Sequence, residues 1–268
     1  MRTLNFQIVR FEEIDSTNTE AMRQARNGAF EGLVIIASRQ TAGKGRAGRT
    51  WNSNDGGLYL SLILRPDVDF RQIPLLTLMA ANAVSDALKE SFGLEPDIKW
   101  PNDILVSEKK ICGILCETCD SEFGKAVIVG IGVNVSEDAL DEELCEIATS
   151  IERETGKPAD IEEFAKRLLH SIATHYARFT FDATKTVVLA DWQARSSYCN
   201  GKDISVDTGR EVIEGVTRGL HPSGALFVMQ TTGKLALITA GDVKHLRPRK
   251  NSSDEIAETN RDADSVEL

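Results

Sequence analysis

Between residues 98 and 130 the chain offers four strand-like runs and no stretch long enough to form a helix between them. The runs are 98–100, 104–106, 110–117 and 126–130, rich in branched apolar residues and separated by short polar turns. Parallel neighbours need a crossover of a dozen or more residues, usually a helix. These runs leave no room for one, so they pair largely antiparallel. A doubly wound parallel sheet is therefore disfavoured, and the prediction is an α+β chain with a mixed β-sheet flanked by helices.

The flanking pieces come from either side. Residues 6–14 alternate apolar and polar and read as a strand, and 33–37 and 57–64 read as buried strands. Asp15-Ser16-Thr17-Asn18 offers several helix caps ahead of a short amphipathic helix through Ala21, Met22 and Ala25, ending near Gly28. Residues 75–88, rich in Leu, Ala and Met, are too long for one strand and predict a buried helix that stops before Gly93. Acidic amphipathic helices are expected over 141–154 and 161–179, and a shorter one over 184–195. After Ser197 the composition changes to short strands at 203–206, 211–218, 225–230 and 235–239, the spacing of a small barrel or sandwich. Residues 251–268 carry many acids and few large apolar side chains, and read as a disordered tail.

With 268 residues, 41% of them hydrophobic, the chain can form one large domain and a small appendix. Its net charge of -10 argues against non-specific nucleic-acid binding. The five cysteines are odd in number and fit reduced thiols in a cytosolic protein. The N-terminus lacks the apolar core of a signal peptide, and no apolar run approaches the ~18–20 residues that cross a bilayer. The expectation is a soluble, cytoplasmic protein.

Against this acidic background one segment stands out: Gly43-Lys44-Gly45-Arg46-Ala47-Gly48-Arg49-Thr50-Trp51. Its glycines let backbone N–H groups approach an anion, and its three cations add charge suited to phosphate. Trp51 offers a flat face for a base. The alternative is a solvated hairpin. The segment is neither a Walker A loop nor a dinucleotide fingerprint, because the glycine spacing and the surrounding elements differ. Lys99-Trp100-Pro101-Asn102-Asp103 places a lysine at a strand end among apolar neighbours, where it can hold a carboxylate or phosphate oxygen or simply lay its stem on Trp100. Gly130-Ile131-Gly132-Val133-Asn134 ends a strand with a glycine pair, the mark of close ligand approach or of a bulge. Cys116 and Cys119 have the spacing of half a zinc site with no second half, so no metal site is expected and the thiols read as buried apolar groups. Cys112 and Cys116 should share a strand face, with Cys119 on the other.

In this order, these clusters resemble the biotin protein ligase family, the biotin–[acetyl-CoA-carboxylase] ligases. Gln40-Thr41-Ala42 before the cationic loop and Lys110-Ile111-Cys112-Gly113-Ile114-Leu115-Cys116-Glu117 add to the match, as does Gly241 to Arg247 near the end of the small domain. The resemblance covers residues 6–248. It implies a catalytic biotin- and ATP-binding domain over 1–196, similar to class II aminoacyl-tRNA synthetases, and an SH3-like barrel over 197–248, followed by a tail from 249 to 268.

The implied reaction has two steps. Biotin attacks the α-phosphate of ATP to give biotinyl-5′-AMP and pyrophosphate, and a lysine of a carboxyl carrier domain of acetyl-CoA carboxylase, or a related carboxylase, then takes the biotinyl group. Transferred residue by residue, the resemblance assigns the biotin ureido ring to Ser16, Thr17, Asn18 and Gln40, with Gly113 leaving room for the bicyclic ring. Gly43, Lys44, Gly45 and Arg46 also close on biotin. Lys44, Arg46, Arg49, Trp51, Asn102 and Asn134 meet ATP or the adenylate. Lys99 and Arg46 are the implied catalytic groups. Mg²⁺ would bind through ATP phosphates and water. Lys44 stands where many relatives have Arg. The chain starts directly at the catalytic strand, so no DNA-binding domain and no repression are implied, and pairing into a homodimer through the sheet edge is compatible with the family. Two rivals remain: a lipoate or octanoate protein ligase, and a non-catalytic nucleotide-binding module.

Overall fold

The computed structural model of the protein describes residues 4–245, so the expected tail and residues 246–248 lie outside the described residues. Seven strands form the main sheet in the order β1-β2-β3-β7-β6-β5-β4. They are β1 (Gln7–Ile14), β2 (Leu33–Gln40), β3 (Gly57–Leu64), β4 (Asp97–Lys99), β5 (Asp103–Val106), β6 (Lys109–Ser121) and β7 (Gly124–Asn134). Only β1 and β2 run parallel; every other neighbour is antiparallel. The sheet is mixed, as the short spacing between the central runs requires.

Period-two alternation assigns the two faces. On β3, Leu58, Leu60, Leu62 and Leu64 enter the large core beneath α2 (Leu75–Phe92), while Ile63 packs in a smaller cluster with Ala21 and Ala25 of α1 (Thr17–Arg26). The long helix α4 (Ile161–Phe181) and α5 (Thr186–Ala194) cover α2 from outside. Gly93, in the left-handed region at φ 68, ends α2 where a β-carbon would be strained. Asp160 caps α4, its carboxylate accepting from the backbone N–H groups of Glu162 and Glu163.

Three helices are tied together by one charge cluster. Asp86 on α2 receives Arg195 Nε at 2.7 Å and lies 2.8 Å from His175 Nε2 on α4. Burial alone would raise the Asp86 carboxyl, but the bonds from His175 and Arg195 outweigh it and hold it at about 2. A carboxylate with a depressed pKa stabilises the fold above its unfolded value and loses that contribution as pH falls through the native one. The Tm difference between the protein and Asp86→Asn is therefore expected to shrink as pH drops from about 4 towards 2. A pH-independent difference would contradict this assignment.

The segment expected as a helix over 141–154 is not one. Two 3-10 turns, at Glu137–Ala139 and Glu142–Leu144, precede a single-turn helix α3 (Ile151–Thr155). The backbone is drawn to the start of β6 instead: Lys110 N donates to Ile147 O, and Thr149 N donates to Lys110 O, both at 2.9 Å. These two bonds replace the helical ladder there.

A second sheet follows α5, in the order β11-β10-β9-β8-β12, all antiparallel. Its strands are β8 (Asn200–Asp207), β9 (Val212–Leu220), β10 (Leu226–Gln230), β11 (Leu235–Ile238) and β12 (Asp242–His245). Among the described residues the sheet is open, with β11 and β12 on its edges. It joins the main body through Trp100, whose indole Nε1 donates to Gly224 O at 2.9 Å. Among the described residues, no helix is long and apolar enough to cross a membrane.

Candidate active site

β7 explains where a ligand can lie. On the face beneath α1 its side chains run Ala126, Ile128, Gly130, Gly132, Asn134. The first two pack in the α1 cluster; the glycines then strip the face of side chains. Gly113 on β6 pairs directly with Gly132 and widens the bare area. Over it lies a cavity of about 300 Å³.

The cavity has a partition. A β-carbon on Gly132 would lie 2.5 Å from Trp51 Nε1, and one on Gly113 would lie 2.7 Å from Trp51 Cζ3. The indole thus rests on the two glycines, which only residues without a β-carbon allow. This places the Gly113 reading differently: the room over Gly113 is taken by Trp51.

On one side of Trp51 the start of α1 supplies polar groups. Thr17 N and Oγ1 both donate to Gln40 Oε1, at 2.8 and 3.1 Å. Gln40 Nε2 donates to Ser53 Oγ at 2.7 Å. Asn18 accepts from Ser61 Oγ at 2.6 Å and donates to Glu117 Oε2 at 2.8 Å. Ser16 is 1% exposed, and its hydroxyl has no hydrogen-bond partner in the protein. It is the helix N-cap by position, yet its side chain does not cap; the donors of the first turn are served by Gln40 instead. The cap-like sequence was read correctly for position, while the hydroxyl is left to the cavity.

On the other side, Asn134 donates to Thr149 O at 3.0 Å, and Leu140, Leu144, Ile147 and Ala148 form an apolar wall. Asn52 and Asn54 fasten this wall to the hairpin, both donating to the carboxylate of Asp141 at 2.6 and 2.8 Å.

The cationic segment folds as a short hairpin over the cavity. Lys44 bridges Thr50, Gly45 N donates to Arg49 O at 2.7 Å, and Trp51 N donates to Gly43 O at 2.9 Å. The turn at Ala47 (φ 54) and Gly48 (φ 74) is left-handed. The hairpin and the anion-binding readings are compatible, because its cations line the cavity while its backbone pairs with itself. Gly43 is buried and outside the lining: its β-carbon would meet Trp51 O at 2.4 Å and Ser53 Oγ at 2.5 Å. Arg46 Nη1 donates to Asn102 Oδ1 at 3.0 Å and reaches Gly241 O at 3.5 Å, while Arg49 Nη1 pairs with Asp242 at 3.2 Å. Burial lowers the affinity of Arg46 for its proton, with Asp103 opposing. The small sheet therefore holds the arginines from behind, a contact that sequence reading missed.

Two lysines bear on the cavity. Lys99 stands at its rim, half-buried and within electrostatic reach of Asp103, Lys110 and Arg49, which line it. It alternates with Ile98 and Trp100, both buried, and pairs across the ladder with Asp103 at the rim. Burial lowers its affinity for a proton, and Asp103 and Asp242 counter this. Lys110 lines the cavity itself. Its Nζ lies 2.7 Å from Asp103 Oδ1 and 5.1 Å from the centroid of Trp51. Strict alternation would set Lys110 on the core face with Cys112. The register slips there: Ile104 faces Cys112 but Leu105 faces Lys110, and Ile111 turns into the core. This bulge brings Lys110 round beside Gly113, whose β-carbon would lie 3.3 Å from Lys110 Cε.

Cys112 and Cys116 do share the face towards α2, and Cys119 packs beside α1. Among the described residues, no cluster of three His, Cys, Asp or Glu side chains could hold a metal. The carboxylate closest to the cations, Asp103, is already paired with Lys110.

The profile described as the Biotin/lipoate A/B protein ligase family matches residues 11–134. The bifunctional ligase/repressor BirA of Bacillus subtilis (strain 168) is 34% identical over 241 residues, covering 88% of this chain and 73% of that protein. The biotin–[acetyl-CoA-carboxylase] ligase of Paracoccus denitrificans is 35% identical over 233 residues, 84% of this chain and 95% of its own. The solved biotin protein ligase from Aquifex aeolicus, in complex with biotin and ATP, superposes with a TM-score of 0.78 at 31% identity, covering 90% of this chain and 99% of that one. With a matching catalytic fold and this identity across most of its length, the chain belongs to the biotin protein ligase family and is a ligase.

Proposed function

We propose that this enzyme joins biotin to ATP as biotinyl-5′-AMP and passes the biotinyl group to a lysine of a biotin carboxyl carrier domain, such as that of acetyl-CoA carboxylase. The observation that carries this reading is the glycine floor divided by Trp51. It offers one polar and one apolar chamber, both open to the same cationic hairpin. A relative of similar fold was solved with biotin and ATP together, which supports two ligands side by side.

Biotin fits the chamber beside α1. Its ureido group carries both donors and an acceptor, and would satisfy the orphaned Ser16 hydroxyl together with Thr17, Asn18 and Gln40. Adenine lies against Trp51 and the wall at Leu144 and Ala148, with Asn134 alongside. Lys110 stands between the chambers, where carboxylate meets α-phosphate. Its cation offsets the charge that develops there, and Asp103 positions it. Arg46 and Arg49 hold phosphate from above, and Asn102 orients Arg46. The closed hairpin keeps water from the mixed anhydride. Magnesium would be held by the ATP phosphates and water, offsetting phosphate charge beside Arg46 and Arg49. The catalytic unit ends near residue 196 in this reading, and the small sheet that follows is SH3-like, its Gly241 and Asp242 bracing the hairpin.

Incubating the protein with ATP and biotin should release pyrophosphate. Release that requires lipoate or octanoate instead would favour the other branch of the family, and no release with any of these acids would favour a nucleotide-binding module. In Arg46→Gly the hairpin loses its hold on Asn102 and on phosphate. Adenylate is expected to escape, raising stray biotinylation of added bystander proteins by about tenfold or more, for a loss of about 1.4 kcal/mol or more. Unchanged labelling would contradict the role of the hairpin as a lid.

A further inference from the structure

The lysine amines near the cavity sit in different surroundings. Lys110 is paired with Asp103 and covered by Trp51. Lys99 is at the rim, outside the lining. Lys44 lines the cavity from the hairpin and is exposed, and among the described residues its Nζ has no hydrogen-bond or ion-pair partner. Its backbone is nevertheless fixed, by the bridge to Thr50 and the bonds from Gly45 N and Trp51 N on either side. A rigid hairpin thus carries a flexible primary amine at the wall of the chamber. The hairpin's other cations, Arg46 and Arg49, are guanidiniums tied to Asn102 and Asp242.

We propose that Lys44 is a biotin acceptor: without a carrier domain, its Nζ takes the biotinyl group from the adenylate made in the same molecule. This rests on the adenylate-forming function above. The nitrogen lone pair attacks the acyl carbon and forms the C–N bond of an amide. The C–O bond to the phosphate breaks, and AMP leaves with its electron pair. The proton displaced from nitrogen passes to solvent, and nothing is oxidised or reduced. The amine is tethered to the site of synthesis, so it acts at an effective concentration of about millimolar or higher. Exposed lysines elsewhere, such as Lys89 and Lys234, meet only adenylate that has escaped. The product removes the Lys44 charge and leaves a biotinyl arm at the cavity, so each molecule labels itself once and then closes to fresh biotin.

The test uses the full chain with ATP and biotin and no carrier, following pyrophosphate release, intact mass and the labelled peptides together. The expected result is one biotinyl group per chain, on Lys44, at about tenfold or more over Lys89 or Lys234. In Lys44→Arg the label per pyrophosphate released should fall by a similar factor. Pyrophosphate release with label spread evenly over exposed lysines, or placed on Lys110, would overturn the inference and leave the ligase reading intact. An absence of biotin-dependent pyrophosphate release would overturn both.

Discussion

Lys110→Ala is expected to slow biotin-dependent pyrophosphate release by about 10²–10³-fold, the cost of removing one aimed charge from a developing anion, or about 2.7–4 kcal/mol. The fold should survive, because the side chain is partly exposed and its partner Asp103 keeps some access to solvent. The comparison that matters is with Lys99→Ala. That lysine contributes to the potential around Asp103 and Asp242 from outside the cavity. Its loss should cost no more than about fivefold, the scale of a rim charge worth about 1 kcal/mol. Single-turnover formation of the adenylate separates the two, since it reports chemistry before release. If Lys99→Ala proved the more damaging, the assignment of Lys110 would fall and the strand-end lysine would regain the role suggested by its neighbours in sequence.

Gly130→Ala is the second large effect. The new β-carbon would lie 2.0 Å from Asn18 Oδ1. A flexible side chain could step aside, but Asn18 is 3% exposed and held by Ser61, Glu117 and the Leu115 carbonyl. Moving it breaks at least one buried hydrogen bond and disturbs the first turn of α1, beside Ser16 and Thr17. Overpacking of this kind costs about 1–3 kcal/mol of stability. Biotin affinity should fall further than stability, by about a hundredfold, because the chamber that receives the ureido ring is the space being filled. Isothermal titration with biotin alongside thermal unfolding checks both. Normal affinity in a folded Gly130→Ala protein would remove biotin from that chamber.

Much of the architecture could be read from the chain because its cause is local. Closely spaced strands exclude long crossovers, Gly93 stops α2, and alternation on β3 and β7 sorts the two faces. The residues about Ser16, Gln40 and Trp51 were legible for the same reason: unusual types sit in short runs. Lys110 was not, because a single bulge at Ile111 reverses the face that alternation predicts. Residues 141–154 read as one helix because their acids and apolar residues suit one, while two backbone bonds to Lys110 leave only the turn of α3 helical. The contact from Asp242 to Arg49 joins residues 193 apart, and no local pattern carries that information.

That last contact bears on how the molecule could be divided. A chain cut between α5 and β8 would yield two fragments, each with a sheet of its own. The larger would keep its floor and both chambers, yet its arginines would lose Gly241 and Asp242, and Trp100 would lose Gly224. Neither half would then hold an adenylate well. Brought together on two interacting proteins, the halves would restore the grip, and ligation would report the encounter.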